Sequence, residues 1–248
     1  MDSFSFYLRE LDAFNHEIYQ KSIVAGNIAY ILASKARISE SIWIREAGYL
    51  CDIGTKQVGP IYISVQNKKL LEDANISAKL ENTRRFHVRR SMNLIDSMDD
   101  IDKGLREYYK DLVDLHHCLY DSSYSYCGHN LGFSKDSYIP CKDEIPKDAQ
   151  ILSASVSLSA AMSMRSYDIS MLGGIIENLH HNRFISNQQK ILIKECELKI
   201  KKCFIDKTIF NPVVTSPQQK QAMVSFGGGI FSKEHGAYRY SSSRKLHL

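Results

Sequence analysis

A chain of 248 residues is long enough to enclose a substantial core, as one large domain or two small ones. Hydrophobic content of 44% and charged content of 24% are those of an ordinary globular protein, and a net charge of +4 makes no bulk case for nucleic-acid binding. No apolar run approaches a membrane span, and Met1-Asp2-Ser3 opens no export signal, so a cytoplasmic protein is expected. The six cysteines (Cys51, Cys118, Cys127, Cys141, Cys196, Cys203) are spread too widely for a disulfide framework and read as reduced thiols.

In chain order, residues 1–20 read as a lead-in helix with Phe4, Leu8, Leu11 and Ile18 on one stripe. Ser22 to Lys35 is helical by the spacing of Val24, Ile28, Ile31 and Leu32. Ser39-Glu40 opens a third helix, which carries Trp43 and ends at Cys51-Asp52-Ile53-Gly54, where the glycine is expected to stop it. Gly59-Pro60 marks a turn. Helices are expected over about 77–96 and 101–119, followed by a Ser- and Tyr-rich loop at 121–143. Pro146 opens a helix of small residues through Met162, suited to close packing inside a bundle. Further helices are expected near 168–181 and 186–204, then a short one over Thr208–Val214. Gly227-Gly228-Gly229 introduces a flexible tail. The fold class read from this pattern is all-α with one core. Its divisions are a lead-in helix at 1–20, a helical domain at 21–224 and a tail at 225–248.

Lys21-Ser22, Cys51-Asp52-Ile53-Gly54, His87, His116-His117 and Phe210-Asn211-Pro212-Val213-Val214, taken together in that order, resemble the HD-GYP family of metal-dependent phosphohydrolases that open cyclic di-GMP. Lys21-Ser22 sits where that family has His-Ser, and Cys51-Asp52-Ile53-Gly54 where it has His-Asp-Ile-Gly. His87 fits the single ligand histidine, His116-His117 the paired histidines, and Asp121 the aspartate before the Gly-Tyr-Pro signature. Ile145-Pro146 through Ala161, Arg165, Tyr167 and Phe210-Asn211-Pro212-Val213-Val214 match the closing half. The departures are as specific. Lys21 and Cys51 replace histidines, Thr55 replaces a lysine with Lys56 adjacent, Cys118 replaces a glutamate, and Val156 and Ser159 stand at two aspartate positions.

The resemblance implies a helical HD-domain bundle in bacterial signalling. It also implies a residual metal site of Cys51, Asp52, His87, His116 and His117, with Asp52 and Lys56 as the catalytic residues if the chain is active. Activity would need iron or manganese to lower the pKa of a bridging hydroxide. The exchanges imply instead a pseudoenzyme with no cofactor, in which Lys21 pairs with Asp52 and takes a vacated metal position. Such a domain would bind a protein partner or a cyclic dinucleotide. Arg84, Arg85, Arg89, Arg90, Asp121 and Tyr124 are the candidate ligand contacts, because guanidinium forks match phosphate geometry.

Each feature also has a plainer reading. The arginines can be a solvated face, and Asp52 a core carboxylate paired with Lys21 or His116. His116 and His117 cannot face the same way on a regular helix. Cys118, Cys127, His129 and Cys141 offer zinc ligands at loose spacing, Cys196 and Cys203 read as packing residues, and His180-His181 as surface. No nucleophile elbow or phosphate-cradling glycine loop is present in the sequence. The tail residues Tyr238, Arg239, Tyr240, Arg244 and Lys245 are a candidate partner contact.

Overall fold

Helix α2 (His16–Lys35) is apolar almost all round, with Ile18, Ser22 through Ala29 and Ile31 through Ala33 buried. A helix of that character belongs in the centre of a bundle, and the other helices pack around it. The computed structural model describes residues 2–58, 86–118, 144–181, 185–216 and 219. The others are α1 (Ser3–Phe14), α3 (Ser41–Leu50), α4 (residues 86–96), α5 (Lys103–Leu115), α6 (Lys147–Ser163), α7 (Leu172–His180) and α8 (Asn187–Ile205). No strand occurs among the described residues. The class is all-α, as the periodicity predicts.

Side-chain caps set several boundaries. Asp2 accepts from Ser5 N to start α1, Asp102 from Gly104 N and Leu105 N to start α5, and Ser186 with Gln189 forms a reciprocal capping box on α8. The expected single helix over 1–20 is broken at Asn15, which is extended at φ −158° and ψ 102° and caps α2 through Ile18 N. Leu11 and Ile18 are buried on either side of the break, so the apolar stripe runs across it and conceals it. The start expected at Ser39 shifts to Ser41: the Ser39 hydroxyl donates to the Glu40 carboxylate, and no side chain caps the helix at Glu40.

Two further expectations are corrected. Residues 168–171 form a capped 3-10 turn before α7 begins at Leu172. Thr208–Phe210 is likewise only a 3-10 turn, after which residues 211–216 carry no regular structure. Pro212 disfavours a helical Asn211, which is extended at ψ 122°. The turn at Gly59-Pro60, the first part of the 77–96 helix, the 121–143 loop, the zinc ligands Cys127, His129 and Cys141, and the tail lie outside the described residues.

Helices α2 and α3 cross with main chain against main chain. A Cβ on Gly48 would lie 2.5 Å from Gly26 Cα, and one on Gly26 would lie 2.4 Å from the Arg45 carbonyl oxygen. A second close approach decides the site. Gly54, in the 3-10 turn Ile53–Val58, sits so near α4 that a Cβ would lie 2.3 Å from Ser91 N and 2.5 Å from His87 O. Gly54 is therefore not the left-handed stop that the sequence suggests. It is small because the main chain of α4 passes directly over it.

Candidate metal centre

Four segments converge on one buried cluster. Helix α2 supplies Lys21 and Ser22, the turn after α3 supplies Asp52, α4 supplies His87, and the end of α5 supplies His116 and His117. Ser91 joins two of them: its hydroxyl donates to Cys51 O at 2.9 Å and accepts from Gly54 N at 2.9 Å. That bridge fixes the Asp52 turn one helical turn from His87. Sequence reasoning missed Ser91, whose only sign is its spacing four residues after His87.

Asp52 divides its oxygens. Oδ2 lies 3.0 Å from Lys21 Nζ and accepts from Ser22 Oγ at 3.1 Å, while Oδ1 lies 3.5 Å from His87 Nε2. Burial pushes the Asp52 carboxyl up, but Lys21, then His87 and His116, more than reverse this and hold it well below the usual carboxylate range. The carboxylate is charged and matched by the half-buried Lys21 ammonium. Ser159 Oγ donates to Lys21 O at 2.7 Å, so a position that is aspartate in the HD-GYP pattern supports the lysine's backbone here.

Both paired histidines reach the cluster because α5 stops at Leu115 and the chain turns through His116 and His117. Residues on a continuing helix would diverge. Here the two rings stand 3.9 Å apart between centroids, each within 5.4 Å of the His87 ring. His116 Nδ1 lies 2.5 Å from Val113 O. A carbonyl only accepts, so the proton is on Nδ1 and the Nε2 lone pair faces His87 Nε2 at 3.4 Å. Burial, opposed by Asp52, lowers the His116 pKa and keeps the ring neutral.

One ligand atom from each of His87, His116 and His117 lies within 4.8 Å of the others. Two imidazole nitrogens on one tetrahedral ion, each at about 2.1 Å, stand about 3.4 Å apart, which is the His87–His116 separation. The three histidines thus fit one ion. A pair of ions bridged by Asp52 does not fit, because Oδ2 is taken by Lys21 and Ser22.

The other candidate residues fall elsewhere. The Cys51 thiol donates to Ala47 O at 3.3 Å, and burial, then the Asp52 charge, pushes it well above the usual thiol range. It lies outside the three-histidine group, protonated and turned back along α3. Lys56 is exposed and paired with Glu10. Arg89 and Arg90 are exposed on α4. Arg84, Arg85, Asp121 and Tyr124 lie outside the described residues. His181 is exposed beside Glu177, Cys196 is buried and Cys203 half-buried.

A second buried polar group lies on the same helices and was not foreseen. Glu46 accepts from Tyr109 OH and from Thr215 N, the latter at 2.7 Å. Tyr49 OH donates to Asn27 Oδ1 at 2.6 Å and accepts from Val213 N at 3.2 Å. The readable sign is a charged pair, Arg45-Glu46, inside a run that is otherwise apolar and entirely buried from Trp43 to Leu50.

This arrangement of helices has the fold of an HD-domain helical bundle. The HD domain of the L. monocytogenes phosphodiesterase PgpH, seen in a crystal structure, is similar over 80% of this chain and 98% of its own, with a TM-score of 0.52 and 16% identity. At that identity the likeness establishes the fold and nothing finer. No protein-family model matches the chain, and no curated protein matches it. Among the described residues, no helix is long and apolar enough to cross a membrane.

Proposed function

We propose that the chain is an HD-GYP-like domain that has given up phosphodiester hydrolysis and acts by binding, with a protein or a cyclic dinucleotide as its partner in bacterial signalling. One observation carries this reading: Lys21 Nζ lies 3.0 Å from Asp52 Oδ2. Two-ion hydrolysis needs a carboxylate oxygen toward each ion, so that both the attacking and leaving oxygens are clamped. An ammonium supplies charge at that oxygen but has no open coordination position. It cannot generate a metal-bound hydroxide.

A residual one-ion site also has support, from the three histidines gathered within 4.8 Å. His87, His116 and His117 would hold an iron, manganese or zinc ion, which would supply Lewis acidity to a bound phosphate. On this second reading the chain is a divergent phosphohydrolase. Elemental analysis of the purified chain, paired with cyclic di-GMP turnover in added manganese or iron, separates the two. The binding-domain reading expects well under one equivalent of iron or manganese per chain and no turnover. Turnover abolished by Asp52→Ala would overturn it.

A further inference from the structure

The second polar group reads main chain. Asn27 Nδ2 donates to Ile209 O at 2.8 Å and to Asn211 O at 3.0 Å. Val213 N and Thr215 N donate to Tyr49 and Glu46. Ile209 belongs to the 3-10 turn, and beyond it the atoms contacted belong to residues 211, 213 and 215, every second residue, which is how one edge of an extended chain presents its polar groups. Asn211 N still bonds back to Thr208 O of the 3-10 turn, but the amides of Val213 and Thr215 find side chains of the bundle core.

Three of the four segments that build the histidine cluster, α2, the α3 segment and α5, also carry this second group; α4, with His87, does not. On α2, Lys21 and Asn27 are six positions apart, and on the α3 segment so are Glu46 and Asp52. On α5, Tyr109 and His116 are seven apart, and Tyr109 OH ties α5 to Glu46. At about 1.5 Å per residue the offsets are roughly 9–11 Å. The strap of residues 211–215 therefore closes a storey of the bundle joined, through α2, the α3 segment and α5, to the storey holding Asp52 and His116.

We propose that this strap is a detachable latch whose docking sets the spacing of α2, α3 and α5, and through them the geometry of the histidine pocket. Undocking leaves the Glu46, Tyr49 and Asn27 groups to water, relaxes the α3–α5 tie at Glu46, and changes the pocket without touching it. Such a latch is a regulatory handle, and it operates whether or not the pocket hydrolyses anything.

Hydrogen exchange on the full chain tests the first half. The Val213 and Thr215 amides should be at least about tenfold less protected than Ile28 and Ile44 amides in α2 and α3, as expected of a sub-globally opening unit. Equal protection would show that the strap is part of the core and end the proposal. The imidazole signals of His87, His116 and His117 in nitrogen-15 NMR test the second half. Thr215→Pro removes a strap donor while leaving α2, α3 and α5 intact, and Tyr49→Phe removes the hydroxyl that joins strap to core. Both should speed exchange at Val213 and shift the His116 and His117 signals. A strap that opens in Thr215→Pro with all three signals unmoved would overturn the coupling, even if Tyr49→Phe fails to fold.

Discussion

Two buried carboxylates six residues apart solve the same problem in opposite ways. Asp52 keeps its charge by facing a cation and titratable rings, Lys21 on one oxygen and His87 on the other. Glu46, fully buried, accepts from a tyrosine hydroxyl on one oxygen and from a backbone amide on the other. The first arrangement is a site, because exchanging its partners alters what can bind there. The second is a fastener, because its partners, a tyrosine hydroxyl and a strap amide, belong to the chain itself and can be made or broken but not exchanged.

The largest expected effect comes from removing the cation. Lys21→Met leaves an unmatched buried carboxylate and should cost about 3–5 kcal/mol in urea unfolding, with most of it restored by adding Asp52→Asn. A loss below about 1 kcal/mol would mean that water already reaches the pair. The pair also fixes the acid limb. A depressed folded pKa gives stability present above the ordinary carboxylate value of about 3.9 and lost as pH falls below it. The double variant should therefore lose part of its sensitivity to acid.

Glu46→Gln should cost less, about 1–3 kcal/mol, because one acceptor survives while the other becomes a donor facing a donor. If it costs as much as Lys21→Met, the contrast between the two carboxylates fails. Gly54→Ala falls in the same range, about 1–3 kcal/mol, through its collision with the α4 main chain, and it should also disturb the His87 ring signal.

A smaller effect belongs to alkaline pH. Burial raises the Tyr49 pKa to about 12. A raised folded pKa gives stability that is complete below the unfolded value of about 10 and lost as pH climbs toward 12. Tyr49→Phe should flatten that limb in pH-dependent unfolding. The smallest effect is Ser22→Ala, which removes one hydrogen bond to Asp52 and should cost about 1 kcal/mol.

Much of this was legible in the sequence. The helices followed from apolar spacing, and the Lys21–Asp52 pair from a lysine standing where the HD-GYP pattern has a histidine. The residues that failed to read are those whose role depends on distant backbone. Asn15 breaks a helix within an unbroken apolar stripe, and Gly54 answers to α4 and not to its own helix end. His116 and His117 meet only because α5 stops one residue earlier. Glu46 looks like a solvated helix residue until the strap lies across it, a contact 169 residues away in the chain. Period and composition report local geometry; they carry no record of which main chain will pass overhead.

The Gly26–Gly48 crossing gives the molecule a fulcrum. Gly26 adjoins Asn27, and Gly48 lies between Glu46 and Asp52, so the pivot stands between the two polar storeys. Main chain of the opposite helix lies within 2.5 Å of the place a Cβ would take on either glycine, and the Tyr49 ring packs against Gly26. Any enlargement of either glycine would therefore force α2 and α3 apart and disturb both storeys together.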